Sequence, residues 1–239
     1  MSGHSKWSKV KHQKATTDAA KSQAFTRVSR ALAVAVREGG GMTDPAKNFR
    51  LRLAFELARA VNMPKDTIER AIERGSGQGV GAIEQLTYEG YGPGGVAYLV
   101  EAATDNHQRT GAMVKHAFDH AGGSLAAPGA VTYQFHRSGV LLIPKSAGSV
   151  DTLFEVALSA GADDVVERDD VFEMYTKDWA LPQVKAHLEK AGIPITQTSF
   201  IMRPSSTIRP DTVAREKNEQ LIEALEILDD VQNIFTTME

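Results

Sequence analysis

The chain has no cysteine among its 239 residues, and only 7% of them are aromatic. Without cysteine there are no disulfides, no thiolate-bound metal and no cysteine nucleophile. No apolar run approaches the roughly 20 residues that a membrane-spanning helix needs. The first residues include lysines but no apolar stretch of a secretory signal. We therefore expect a cytoplasmic protein with no membrane partner.

Acidic residues are scarce in the first third of the chain. Residues 1–78 contain 15 Lys and Arg against 7 Asp and Glu, a balance of +8, whereas residues 79–239 contain 12 against 23, a balance of −11. A basic region joined to an acidic one is typical of a protein whose basic part meets a polyanion. The acidic part would repel free nucleic acid, so it could instead face a protein partner or restrain the basic region.

The most basic stretch is Gly3–Lys14, called here the basic segment, which contains no carboxylate. Lysines neutralise phosphates, and the indole of Trp7 offers a flat face to a base. A solvated basic terminus is the alternative, because runs of like charge are often solvated. The candidate nucleic-acid-binding residues, in the basic segment and the helix after it, are His4, Lys6, Trp7, Lys9, Lys11, His12, Lys14, Lys21, Arg27 and Arg30.

Helical periodicity predicts three amphipathic helices in the basic region. Asp44 is the expected N-cap of the second helix, with Pro45 as its first residue. Glycine-rich residues 75–82 are the expected flexible joint to the rest of the chain. The expected helix bounds are Thr17 or Asp18 to Glu38, Pro45 to at least Leu57, and Pro64 to Gly75.

After the joint, strand candidates alternate with helices. From Val140 onward the order is strand-helix-strand twice, which is the ferredoxin-like pattern. Arg137-Ser138-Gly139 is the expected turn between strands 131–136 and 140–144. The final helix and strand cannot bury themselves, so we expect them to return to the sheet formed by residues 86–103.

These patterns predict an α+β fold. We expect three domains: an N-terminal three-helix domain followed by two domains built on sheets, one ferredoxin-like and inserted into the other. The expected bounds are 1–79 for the basic helical domain, 80–129 with 206–239 for the divided α+β domain, and 130–205 for the inserted domain.

Three motifs that resemble catalytic or cofactor sites have simpler explanations. Gly90, Gly92 and Gly95 fit G-x-G-x-x-G, but they lead into a strand and not a helix, so a turn between antiparallel strands is the better interpretation. His116 and His120 share a helix face but have no obvious third metal ligand. The acids of residues 163–173 could hold Mg²⁺, although charged turns are usually solvated. We expect no catalytic residue, no metal and no cofactor.

Several distinctive stretches are spread from one end of the chain to the other. They are Gly3–Trp7, Lys11-His12, Gly39–Gly41, Asn62–Asp66, Ile68–Ile72, Tyr88–Ala97, Thr104–Asn106, His116–Phe118 and Leu228–Asn233. In these stretches the chain resembles the YebC/PmpR family. Gln13, Gln23 and His107 depart from it, because the family often has a basic residue at these positions.

The resemblance implies a three-domain, cytoplasmic regulator associated with nucleic acid, without catalytic residues or cofactor. Members of the family are named as probable transcriptional regulators and include a mitochondrial translational activator. The expected function is DNA-binding regulation of transcription. The alternative is a ribosome-associated translation factor that binds RNA through the same basic domain.

Overall fold

The computed structural model describes residues 18–77 and 83–239. In chain order the helices are α1 Asp18–Glu38, α2 Phe49–Ala60, α3 Lys65–Gly75, α4 His107–Ala121, α5 Val150–Ala160, α6 Leu181–Lys190 and α7 Thr212–Ile227. The strands are β1 Glu84–Tyr91, β2 Ala97–Thr104, β3 Ser124–Leu125, β4 Phe135–Pro144, β5 Asp164–Glu167, β6 Val171–Lys177, β7 Gln197–Pro204 and β8 Val231–Thr236.

The chain divides into two compact units. The first comprises residues 206–239 together with the described residues up to 134, and the second comprises Phe135–Ser205. An N-terminal helical region and two antiparallel sheets confirm the α+β prediction. The three domain boundaries stay predictions. Among the described residues, no helix combines the length and apolar character needed to cross a membrane.

The helical region, α1 to α3, packs around the apolar face predicted for α1. Val28, Leu32 and Val36 of α1 are buried against Leu51 of α2 and Ala71 of α3. Alanines fill much of the remaining interface, so the three helices approach closely. After Glu38 the backbone turns through two glycines in the left-handed region, which ends the helix as predicted.

The predicted start of α2 at Pro45 is wrong, because the helix begins at Phe49. Asn48 is the true N-cap: its side-chain oxygen accepts from the Leu51 N–H at 3.1 Å. The same amide group donates to the Ala35 carbonyl at 2.8 Å, so it also fixes α2 against α1. Asp44 caps only a short turn, where its carboxylate accepts from the Ala46 N–H.

The first unit contains an antiparallel sheet with strand order β3-β1-β2-β8. The return of β8 to β2 confirms the prediction that the last strand pairs with the early sheet. Helices α4 and α7 supply Phe118, Leu221 and Leu225 to the core around Tyr98 and Val100 of β2.

The segment that fits G-x-G-x-x-G forms the predicted antiparallel turn between β1 and β2. Its closeness to α7 explains one glycine directly, since a Cβ on Gly92 would lie 2.1 Å from Oδ1 of Asn218. Asn218 donates to the Pro93 carbonyl at 2.8 Å and accepts from the Tyr98 hydroxyl at 2.8 Å. The motif therefore packs a turn against a helix, and it leads into strand β2 where a dinucleotide-binding motif would open a helix.

The second unit has the strand order β5-β6-β4-β7, all antiparallel, with α5 and α6 as its helices. This is the order of a ferredoxin-like unit. The predicted turn at residues 137–139 is wrong, because β4 runs unbroken through it. Gly139 pairs with Thr176 and Phe200, and a Cβ there would lie 2.8 Å from Leu181. The glycine thus allows close packing of a helix on the sheet.

Candidate nucleic-acid interface

The structure describes three of the ten candidate residues, Lys21, Arg27 and Arg30, all on α1. The others lie outside the described residues: His4, Lys6, Trp7, Lys9, Lys11, His12 and Lys14.

Lys21 lies in the first turns of α1 and is exposed. Its ammonium group is 5.7 Å from the centre of the Phe25 ring. No ion pair joins it to a carboxylate among the described residues. Lys21 therefore keeps a charge that an incoming phosphate can neutralise.

Arg30 is used inside the protein. Its Nη2 lies 2.5 Å from Oδ1 of Asp230, and the exposed fractions of the two side chains are only 15% and 7%. Its Nη1 donates to the carbonyl of Asp229. Arg30 thus attaches α1 to the connection between α7 and β8, and the guanidinium is largely withdrawn from solvent.

Asp230 gathers donors from three parts of the first unit. Its Oδ2 accepts from Thr110 at 2.5 Å, from Arg109 at 3.0 Å and from Thr104 at 3.2 Å. Burial alone would raise the pKa of Asp230, but the hydrogen bonds from Thr110 and Arg109 and the charges of Arg30 and Arg109 lower it below its ordinary value. Asp230 is therefore an ionised group that joins α1, β2 and α4.

Arg27 and Gln23 line the same side of α1 as Arg30, at positions i, i+4 and i+7. Gln23 donates to the Ile227 carbonyl at 2.8 Å. The Nε and Nη2 of Arg27 are buried without a hydrogen-bond partner. Burial lowers the pKa of Arg27, while the charges of nearby Glu226 and Asp229 oppose that shift. We call these three residues the docking stripe, because they face the C-terminal part of the first unit.

Apolar contacts extend the attachment of α1 made by the docking stripe. Ala33 of α1 is buried with Ile83 and Ala103, beside the partly buried Val34. One turn further along the helix, Arg37 donates to the Ile83 carbonyl at 2.5 Å. α1 is therefore packed on two sides, against its neighbouring helices and against the sheet.

Sequence reasoning left out two exposed arginines of α2. Arg52 and Arg59 are seven residues apart and share a helix face. Arg52 donates to the carbonyls of Pro45 and Ala46, which orient the guanidinium without neutralising it. The seven-residue spacing was the signal that could have found this pair.

Four of the six acids in residues 163–173 form ion pairs. The buried Glu173 accepts from Arg168 at 2.8 Å and from the Tyr175 hydroxyl at 2.7 Å. Separate cations meet three more of them: Asp164 with Arg203, Glu167 with Lys145, and Asp163 with Lys177. The described residues contain no group of three or more His, Asp or Glu able to hold a metal.

The His116 and His120 rings lie on the exposed side of α4 with centroids 6.1 Å apart. No third ligand joins them within the described ranges 18–77 and 83–239. They are consistent with surface histidines.

Glu89 is a buried carboxylate that the sequence did not single out. Backbone N–H groups of Gly129, Val131 and Thr132 donate to it at 2.6 to 2.9 Å. Burial opposes ionisation, but these hydrogen bonds lower the pKa of Glu89 below its ordinary value. Glu89 fixes the loop that leads into β4, which is a structural role.

Comparison with known proteins gives matches to two parts of the chain. Residues 5–78 match the TACO1/YebC protein N-terminal domain, and residues 83–238 match the TACO1/YebC second and third domain. The chain belongs to the TACO1/YebC family. This membership confirms the resemblance found in the sequence motifs.

Curated relatives match along nearly their whole length. A protein of Acidithiobacillus ferrooxidans is 48% identical, with 98% of this chain and 93% of the relative covered. One of Nitratiruptor is 46% identical with both chains fully covered. Each is named "Probable transcriptional regulatory protein". The crystal structure of a conserved hypothetical protein from Aquifex aeolicus is also similar, with a TM-score of 0.86, 42% identity, and coverage of 96% of this chain and 95% of that one.

Proposed function

We propose that this regulator acts by binding nucleic acid, as a DNA-binding regulator of transcription in the cytoplasm. The observation that carries the proposal is the separation of charge between residues 1–78, at +8, and residues 79–239, at −11. The names of the curated relatives support a regulatory role.

The phosphate contacts come from the basic segment together with Lys21. Arg30 is excluded from this group because Asp230 and Asp229 already hold its guanidinium. Arg52 and Arg59 add exposed charge on α2. In the basic segment, Trp7 and His12 dock on a base or a sugar.

Contacts with the phosphate backbone of the nucleic acid, and not with base edges, dominate this mode of binding. The residues between α1 and α2 include two left-handed glycines and a short turn at 45–47, which differs from the tight connection of a helix-turn-helix. Contacts to phosphate fix orientation but carry little sequence information. We therefore expect modest discrimination between DNA sequences.

The test is a binding titration with a promoter fragment, a random duplex and single-stranded RNA at several salt concentrations. Replacing Lys9 and Lys11 with Ala should weaken binding equally for every sequence and reduce the salt slope by about 0.9 per lost duplex contact. Lys190→Ala with Lys217→Ala, which removes two exposed lysines of α6 and α7 outside the basic region, is the charge-matched control. Unchanged affinity in the double variant would show that these two lysines of the basic segment do not contact the nucleic acid.

A ribosome-associated translation factor is the second candidate. The strongly acidic remainder of the chain favours it, because such a surface repels naked DNA but can face a basic ribosomal protein. Structured RNA is recognised largely through shape and backbone, which suits a lysine-rich segment. Co-sedimentation with ribosomes at physiological salt, together with weak and unselective duplex binding, would assign the function to translation.

The same proposal includes no catalytic step, metal or cofactor. Nuclease activity is the alternative that the acids of residues 163–173 raise, and Asp169 is exposed in the turn between β5 and β6. Labelled DNA and RNA should remain intact with Mg²⁺. Cleavage that Asp169→Ala abolishes would overturn this part of the proposal.

A further inference from the structure

The outer face of α5 carries two large apolar side chains in solvent. Phe154 is 50% exposed and Leu158 is 70% exposed. They are four residues apart, so they lie side by side on the helix. The opposite side of α5 is already packed, with Leu153 and Ala157 buried. Single exposed apolar residues are ordinary, but an adjacent pair on one helix face indicates a contact surface.

Two acids share this face. Asp151 precedes Phe154 by three residues, and Glu155 precedes Leu158 by three, so the four side chains form one stripe along α5. Both acids are exposed. Asp151 lies in the first turn, where it also complements the helix dipole, but Glu155 lies in the middle of the helix and has no such role.

The lack of cation partners distinguishes these two acids from most others in the second unit. Five acids of the unit form ion pairs with Lys or Arg, whereas no described residue pairs with Asp151 or Glu155. The five paired acids are Asp163, Asp164, Glu167, Glu173 and Glu189. The α5 face therefore combines exposed apolar area with uncompensated negative charge.

We propose that the outer face of α5, formed by Asp151, Phe154, Glu155 and Leu158, docks a basic amphipathic segment of another protein. Apolar side chains of the partner cover Phe154 and Leu158, and its lysines or arginines meet Asp151 and Glu155. This pairing neutralises the charge and buries the apolar pair in one contact.

Charge argues against three other occupants. Nucleic acid and anionic lipid surfaces are repelled by the two carboxylates. A second copy of the chain placed symmetrically on this face would bring like charges together across an isologous contact. The proposal is independent of the proposed function, because it uses residues of the second unit and no part of the basic region.

The probe is a fluorescently labelled helical peptide of about 18 residues, with leucines at helical period on one face and lysines elsewhere. A second peptide carries glutamate in place of every lysine. Fluorescence anisotropy with the full chain should show binding of the lysine peptide, weakened by salt, and no binding of the glutamate peptide. Equal binding of both peptides would overturn the proposal.

Two double variants locate the contact. Phe154→Ser with Leu158→Ser should weaken binding about tenfold or more. Asp151→Asn with Glu155→Gln should weaken it less and flatten its salt dependence. Val213→Ser is the matched control, because Val213 is 63% exposed on α7 of the first unit. Wild-type affinity in both double variants, or an equal loss in the control, would contradict the assignment.

Two further measurements separate folding and self-association from docking. The four side chains are exposed, so every variant should still unfold in one cooperative transition, with only a small shift for the half-buried part of Phe154 and the helix-dipole contact of Asp151. Sedimentation velocity should show no dependence of the oligomeric state on Phe154 and Leu158. Self-association that the apolar double variant abolishes would instead make this face an interface between copies.

Discussion

The start and the middle of α1 use their positive charge in different ways. Lys21 is exposed and meets no carboxylate among the described residues, whereas Arg30 is only 15% exposed and bound to Asp230. Both belong to the same basic region of the sequence. The comparison shows that a count of cations overstates a binding surface, because a buried carboxylate far along the chain can convert one of them into a structural link.

The largest expected effect comes from removing Asp230. Asp230→Ala should lower the free energy of unfolding by about 3 kcal/mol, since it leaves Arg30 with a charge that is withdrawn from water and lacks a counterion. This value is at the low end of the usual loss for a broken buried ion pair, because Arg109, the second cation that pairs with Asp230, is 47% exposed. Chemical denaturation measures the change.

The neighbouring acid provides the control for that prediction. Asp229 is exposed, and Arg30 bonds its main-chain carbonyl, not its carboxylate. Asp229→Ala leaves the Arg30–Asp230 pair intact and removes one of the two carboxylate charges, with Glu226, that favour ionised Arg27. It should therefore lower the free energy of unfolding by no more than about 1 kcal/mol. Equal losses in the two variants would show that net charge, not the buried pair, supports α1.

The pH dependence tests the same pair by titration. The pKa of Asp230 lies below its ordinary value of 3.8 in the folded chain, so the unfolded chain takes up the proton first as pH falls. The stabilisation is present above that ordinary value and is lost as pH falls through the lower, folded-state pKa. The stability difference between wild type and Asp230→Asn should therefore shrink below about pH 4. A difference that stays constant from neutral to strongly acidic pH would contradict an ionised Asp230.

The sequence predicted most elements because their signals are local. Helical spacing predicted α1 to end at Glu38, and the final strand, expected to return to the early sheet, is β8. The errors arose where distant contacts decide the structure. Asn48 caps α2 and also donates a hydrogen bond to α1. Gly139 is part of β4, where its lack of a Cβ leaves room for Leu181.

The role of Arg30 could not be read from the sequence for the same reason. Its partner Asp230 lies 200 positions later and has no periodic relation to α1. Helical spacing places Arg30 outside the apolar face that α1 shares with α2 and α3. It does not reveal that the C-terminal part of the first unit covers the side of α1 where Arg30 lies. Most of the candidate interface lies in the basic segment, where the assignments stay predictions.

The smallest effect, and the most direct test, is the salt dependence of duplex binding by Lys21→Ala and Arg30→Ala, measured at a temperature where both variants are folded. If the exposed start of α1 contacts phosphate, Lys21→Ala should reduce the slope of log affinity against log salt by about 0.9. Arg30→Ala should leave the wild-type slope unchanged, because that side chain already has its counterion. A slope that falls in Arg30→Ala and not in Lys21→Ala would contradict the account.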